Sequence, residues 1–228
     1  MKVDSIFTSA INISSAFVFL PLIITIIRKK YLTKELRILG WYVITSVSCE
    51  VLGNFCGRVL HYPNHFILNI FALFECLLIS LIFREAFIGS KLKTFVLVLT
   101  SMYTLVSVYL FMIPDGFFKF NSTVNTISCL LIITWVLIYF YQLLQTLQLI
   151  KLYTIPLFWI SVGCLLYFSG TLFIFLYSDI ILWQKQPVLY YQLWTIYYIL
   201  LFVFRVLLAI GLWYSKPSIQ IPNALNQK

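Results

Sequence analysis

Acidic side chains are scarce in this chain. Aspartate and glutamate together number 7 in 228 residues, and charged residues of both signs make up only 10%. A soluble domain of this length carries about 25% charged residues to cover its surface, so an aqueous globular fold is excluded. Histidine is rarer still, with 2 residues, His61 and His65. Four apart on a helix they would suit a metal, but Pro63 stands between them and no third histidine exists. No metal site follows, and the same shortage excludes ceramidase-like membrane hydrolases, which need three. The five cysteines (Cys49, Cys56, Cys76, Cys129, Cys164) form no Cys-x-x-Cys pair and all fall in apolar segments. They read as small buried residues rather than a disulfide framework or zinc site. No cofactor is expected.

Apolar length is what the chain has in abundance. Hydrophobic residues make up 62% and aromatics 18%, with a mean hydropathy of +0.98. A spanning helix needs about 20 mainly apolar residues. Seven stretches qualify: Ile6–Ile27, Ile38–Arg58, Phe66–Phe83, Leu92–Ile113, Thr123–Leu147, Pro156–Leu182 and Val188–Tyr214. The expected fold is therefore a single all-α domain of seven transmembrane helices, with the lipid bilayer as its first partner. Lys2 and Asp4 precede the first run, which has no small-x-small cleavage site and is long enough to span, so it reads as a helix and not a secretory signal. Pro63, Pro114-Asp115-Gly116, Pro187 and Pro217 punctuate the connections. Pro156 suits a first helical turn, and Pro21 predicts a kink inside helix one. No internal repeat is evident, which weakens an inverted-repeat transporter reading.

The net charge of +9 comes from 16 Lys and Arg. In a soluble protein that excess would point to nucleic acid. Here the basic residues cluster at the ends of apolar runs and report topology, so no nucleic-acid partner is expected. With the N-terminus outside, the cytoplasmic side holds Arg28, Lys29, Lys30, Lys34, Arg37, Arg84, Lys91, Lys93, Lys151, Lys216 and Lys228. The outer side holds Lys2, Arg58, Lys119 and Lys185, and Arg205 lies within helix seven. That bias predicts N-terminus outside and C-terminus cytoplasmic. Trp41-Tyr42 and Trp213-Tyr214 read as inner interface anchors, Trp183 and Tyr190-Tyr191 as outer ones.

Polar side chains inside the spans gather toward the outer half. Charges in hydrocarbon are expensive and persist when paired, hydrated or used. Ser5, Ser9 and Asn12 lie near the outer end of helix one, and Thr123, Asn125, Thr126 and Ser128 open helix five. Helix two carries Glu50, Asn54 and Arg58 at four-residue steps, hence near one face. Helix three carries His65, Asn69 and Glu75, and helix seven Tyr191, Trp194, Thr195, Tyr198 and, deeper, Arg205. The pattern predicts a polar cavity facing outward, closed beneath by Leu, Ile, Val and Phe. Its expected ligand-binding set is Glu50, Asn54, Arg58, His65, Asn69, Glu75, Tyr191, Trp194, Tyr198 and Arg205, with Glu75 and Arg205 paired as its floor.

Several features have plainer packing readings. Gly53 and Gly57 form a Gly-x-x-x-Gly that permits close helix contact, across which Glu50 and Asn54 would bond. Trp159, Gly163 and Gly170 share a face of helix six and predict a tight neighbour there. Thr134, Tyr141, Gln145 and Gln148 share a face of helix five, the last two near the inner interface. Asn121-Ser-Thr has the form of a glycosylation sequon, without meaning in a bacterial source.

Helix seven lacks the lysine to which retinal attaches, and Asp-Arg-Tyr, Asn-Pro-x-x-Tyr and the Pro-Gln pair of sugar-exporting repeats are missing too. The segments Leu157-Phe-Trp159-Ile-Ser-Val-Gly163, Tyr167-Phe-Ser-Gly170 and Ile210-Gly-Leu-Trp213, with Asn69 and Glu75, resemble small seven-helix membrane proteins of Bacteroidota, some encoded near sensor histidine kinases. That resemblance implies a bacterial inner-membrane location, a sensory role and a signalling partner such as a histidine kinase. From the residues, three classes stay open besides a scaffold subunit without a ligand. The first is a sensor with an outward cavity, signalling through Arg28–Arg37. The second is a small or proton-coupled transporter using Glu50 or Glu75. The third is a lipid enzyme using those carboxylates or the histidines as acid and base.

Overall fold

The computed structural model describes residues 2–61, 64–113, 116–146, 152–183 and 187–215. Pro63, Pro114, Asp115, Leu147, Gln148, Lys151, Lys185, Lys216, Pro217 and Lys228, all invoked above, lie outside the described residues. Within them the chain is helical throughout: α1 (Lys2–Phe17), α2 (Phe19–Ile27), α3 (Lys34–Asn54), α4 (His65–Ala86), α5 (Ser90–Met112), α6 (Ser122–Thr146), α7 (Pro156–Trp183) and α8 (Pro187–Trp213). Taking α1 with α2 as one bent unit, seven helices are long and apolar enough to cross a membrane. The second span starts earlier than its apolar run: α3 begins at Lys34, four residues before Ile38. Helical hydrogen bonding does not stop where hydropathy does, and Glu35 in the first turn suits the positive end of the helix dipole.

The first spanning unit breaks at Val18, between α1 and α2. Pro21 has no N–H to offer Phe17, and its ring crowds the preceding turn, so the chain bends there as expected. The Val18 amide turns to the Ser15 carbonyl instead (3.4 Å), which frees the Ser14 carbonyl that a continuous helix would have used. At the other end of the second span, α3 widens into a π-helical turn over Phe55–Val59, with the Leu60 amide donating to the Phe55 carbonyl at 3.2 Å. His61 follows at φ 49° and ends the span. Gly89, at φ 97°, makes the short α4–α5 connection, a backbone shape that costs other residues more. Asn121 caps α6, its side-chain oxygen accepting from the Val124 amide at 3.1 Å, so the sequon's asparagine is a helix cap.

Six spanning units close into a ring: α8 packs on α1, α2 and α7, α7 on α6, α6 on α4, α4 on α3, and α3 on α2. Helix α5 rests outside that ring against α4 and α6. The kink matters to the closure, because it is α2, beyond the bend, that packs against both α3 and α8. Nearer the start of the chain α1 leans on α8 while α3 leans on α4. A space remains between them at the N-terminal end of the bundle. The opposite end is the basic end, carrying Arg28, Lys29, Lys30, Lys34, Arg37 and Arg84.

Toward the basic end the interior is solid. Leu39, Ile79, Phe83, Trp135, Phe204 and Leu208 are almost wholly buried in one cluster, and Trp135 donates its indole N–H to the Ser80 hydroxyl at 3.1 Å. The outer surface is the reverse of a soluble protein's, with Trp41, Leu105, Met112, Leu144 and Phe173 exposed. Apolar burial gives little drive between helices in lipid, so close packing must hold them. Helices α7 and α8 achieve it with glycine: a Cβ on Gly163 would sit 3.1 Å from Leu207 and Phe204, and one on Gly211 2.9 Å from the Pro156 carbonyl. Gly53 and Gly57, by contrast, face no helix; their nearest neighbour is the Asn64 side chain. The Gly-x-x-x-Gly of the second span is therefore not a helix–helix contact.

Candidate functional site

A cavity of about 240 Å³ occupies the N-terminal half of the ring. It runs from Asn64, His65 and Tyr190 at the bundle end to Glu75, Tyr167 and Arg205 at mid-span. Each wall follows from a local feature. The α1 wall, Phe7 and Ile11, stands off from α3 because of the Pro21 bend. The α3 wall carries Glu50, Gly53 and Asn54, just before the π turn. A π turn leaves helical carbonyls poorly satisfied, and Asn64 meets one of them, donating to Gly53 at 3.4 Å.

Arg205 is the most connected polar group of the site. Its guanidinium donates through Nη1 to the Ser14 carbonyl, the one released at the kink, and to the Ser14 hydroxyl at 3.0 Å. Through Nη2 it donates to Glu50 Oε2 at 2.7 Å, forming an ion pair. The other Glu50 oxygen accepts from the Ser15 hydroxyl and more distantly from Asn54 at 3.5 Å. One side chain of α8 thus grips the bent first span and the second span together. The Arg205 side chain is 5% exposed and that of Glu50 21%; both line the cavity, and the carboxylate is the more open of the two.

The expected floor pair is corrected by this geometry. Arg205 binds Glu50, and Glu75 accepts instead from the Tyr42 hydroxyl at 2.9 Å. Depth along the helices had suggested Glu75; the freed Ser14 carbonyl on α1 draws the guanidinium to the other side of the cavity. Tyr42 is corrected in the same stroke. It is 2% exposed and belongs to the core, while Trp41 alone faces outward. Elsewhere in the wall the Tyr167 hydroxyl donates to that of Tyr197 at 3.2 Å, and the Tyr167 ring stacks on Phe204 with centroids 4.9 Å apart.

Of the side chains expected around the cavity, Glu50, Asn54, His65, Glu75, Trp194, Tyr198 and Arg205 line it. Two do not. Asn69 is fully buried and spends its amide on the connection before α6, donating to the carbonyls of Phe117 (2.9 Å) and Lys119 (2.8 Å) and accepting from the Asn121 amide (3.3 Å). Tyr191 turns aside to meet Phe7 edge-on, with centroids 5.2 Å apart. Arg58 lies outside the described side chains. His65 keeps a buried Nδ1 without a hydrogen-bond partner; His61 is exposed. Sequence reasoning missed Ser14, Ser15, Tyr42, Tyr167 and Tyr197. Only Tyr167 carried a signal, its place at the edge of the glycine face of α7.

Chemically, the site has two carboxylates and one guanidinium among its described wall residues, set in an aromatic surround of Phe71, Phe120, Phe175, Trp194, Tyr197 and Tyr198. Both carboxylates already hold hydrogen-bond donors, and the arrangement suits binding better than proton transfer to a substrate. Comparison with protein-family profiles, with curated proteins and with solved structures finds no match to this chain.

Proposed function

We propose that this chain is a multi-pass membrane protein, N-terminus outside, that works as a receptor-like module for a small ligand. The positive-inside bias favours a cytoplasmic basic end, with the cavity then facing outward. The bacterial inner membrane is the location that the Bacteroidota resemblance favours. The observation that carries the reading is the three-way grip of Arg205. A ligand charge in this cavity, set against Glu50, Arg205 or Glu75 in the same wall, must strain or relax the hold of α8 on the bent first span, and a ligand can shift only a state it binds differently.

The route from there to the basic end is short. Below the kink, α2 packs on α3 and α8. At its foot the Arg28 guanidinium sits over the Trp213 ring, 4.6 Å from the centroid, a cation–π contact. The first span is thereby pinned to α8 at mid-depth and again at its base, and motion at one pin loads the other. The segment Arg28–Arg37 is the surface on which a separate signalling protein, such as a histidine kinase, would read the change. The solid cluster below the cavity supports this over the transporter reading, which needs access from both sides.

Hydrogen exchange of the full-length protein in lipid nanodiscs tests the coupling. Glu50→Gln weakens the grip from within the cavity, and residues 28–37 are expected to exchange faster although they lie far from the substitution. Unchanged exchange there, with faster exchange confined to the cavity walls, would remove the receptor reading.

A further inference from the structure

Resting on the receptor reading, we infer that the cavity takes a small organic cation, an ammonium held by Glu75 within an aromatic cage. The charge balance of the wall points there first. Arg205 is the cation among the described wall residues, and both its terminal nitrogens are occupied, by Ser14 and by Glu50. An anionic ligand would have to break that pair to reach either of them, and the one unpartnered guanidinium nitrogen, Nε, is itself buried. Glu75 is left as a mid-span carboxyl whose hydrogen bond comes from a neutral phenol, Tyr42. A buried carboxylate whose contact partner is neutral is costly to charge, and an ammonium ligand supplies a direct ion-pair partner.

The surround fits the same chemistry. Trp194, Tyr197, Tyr198, Tyr167, Phe71 and Phe175 all contribute to the wall that holds Glu75. Aromatic faces attract cations through the ring quadrupole, most strongly where water is displaced, and cages of this make-up recognise quaternary and methylated ammonium groups. Size narrows the class further. At about 240 Å³ the cavity falls below the roughly 300–1,000 Å³ of sites for drug-sized ligands. A single ammonium with a short aliphatic or phenyl tail fits; a polyamine or a lipid headgroup with its chains does not.

The test uses the full chain in nanodiscs and four probes: choline, its neutral isostere 3,3-dimethylbutan-1-ol, phenethylammonium and the anion phenylacetate. Binding is followed by tryptophan fluorescence, since Trp194 stands in the wall, and by thermal midpoint. The expected result is that at least one of the two cations binds, about tenfold or more tighter than the isostere and than phenylacetate. Glu75→Gln is expected to lower that affinity at least tenfold. The isostere comparison needs no variant, so a Glu75→Gln protein that fails to fold leaves the test intact. Equal binding of choline and isostere, preference for phenylacetate, undiminished binding to Glu75→Gln, or binding of none of the four would each overturn the inference. Hydrogen exchange over residues 28–37, measured with the same probes, separates the two readings. Glu75-dependent cation binding without a change there keeps the ligand class and sinks the receptor; a change driven by phenylacetate does the opposite.

Discussion

Cutting the Arg205–Glu50 pair from each side in turn measures what holds the first span to α8. Arg205→Met removes three hydrogen bonds, to the Ser14 carbonyl, the Ser14 hydroxyl and Glu50. Removing one member of a buried pair costs about 3–5 kcal/mol, because it strands the other charge. The two members are not equally buried, at 5% for the Arg205 side chain and 21% for Glu50. A stranded Glu50 turns toward cavity water, which puts Arg205→Met near the lower end, about 3 kcal/mol. A stranded Arg205 has less room to do so, and Glu50→Leu falls nearer about 4 kcal/mol. In the double variant neither charge is left behind, so its loss is expected to stay near that of the worse single change, far short of the sum. The coupling is then about 3 kcal/mol, well above the roughly 0.6 kcal/mol average for hydrogen bonds between membrane helices. Unfolding in mixed detergent micelles, followed by tryptophan fluorescence, gives all four stabilities. Additive losses, or a coupling below about 1 kcal/mol, would refute the view that this pair is a buried mutual neutralisation and would reduce Arg205 to an ordinary packing residue.

Two further outcomes follow from the packing. Asn69→Leu fills the same space but leaves the Phe117 and Lys119 carbonyls without their donor, so a loss of about 2–3 kcal/mol and faster hydrogen exchange over residues 116–121 are expected; unaltered exchange there would show that the connection holds itself. Gly163→Leu forces Leu207 and Phe204 aside and is expected to cost about 1–3 kcal/mol, whereas Gly53→Ala meets only the Asn64 side chain at 3.5 Å and is expected to be neutral or to gain about 0.5 kcal/mol. The reverse order in the same unfolding assay would return the close helix contact to α3.

Helix count, approximate boundaries and the Pro21 bend are all legible in the amino-acid sequence, and for one reason. In a membrane the chain's one-dimensional hydropathy is nearly its structure, because every backbone group must be satisfied within its own helix. Depth is readable as well, at 1.5 Å per residue, which is why Glu50, Asn54, His65, Glu75, Trp194, Tyr198 and Arg205 could be picked out as cavity residues: five interrupt an apolar run in the same half of the bundle, with Glu75 at mid-span and Arg205 just beyond it. Their identity as polar residues where lipid should be was the entire signal.

What depth cannot supply is direction around the helix axis. Depth made Glu75 the expected partner for Arg205, and the pairing goes to Glu50 because a bend four positions away frees the Ser14 carbonyl, a consequence visible only once α1, α3 and α8 are set side by side. Asn69 and Tyr191 looked like cavity residues by height alone and were turned elsewhere by a connecting segment and by Phe7. Tyr42 looked like an interface anchor beside Trp41, yet adjacent residues on a helix point about 100° apart, and that rotation carries Tyr42 inward to Glu75 while Trp41 faces out. The amino-acid sequence determined the spans, their heights and the set of polar groups they had to shelter. Only the tertiary structure decided which of those groups meet, because lateral pairing depends on the rotation of each helix about its own axis, and that is settled by neighbours far away in the chain.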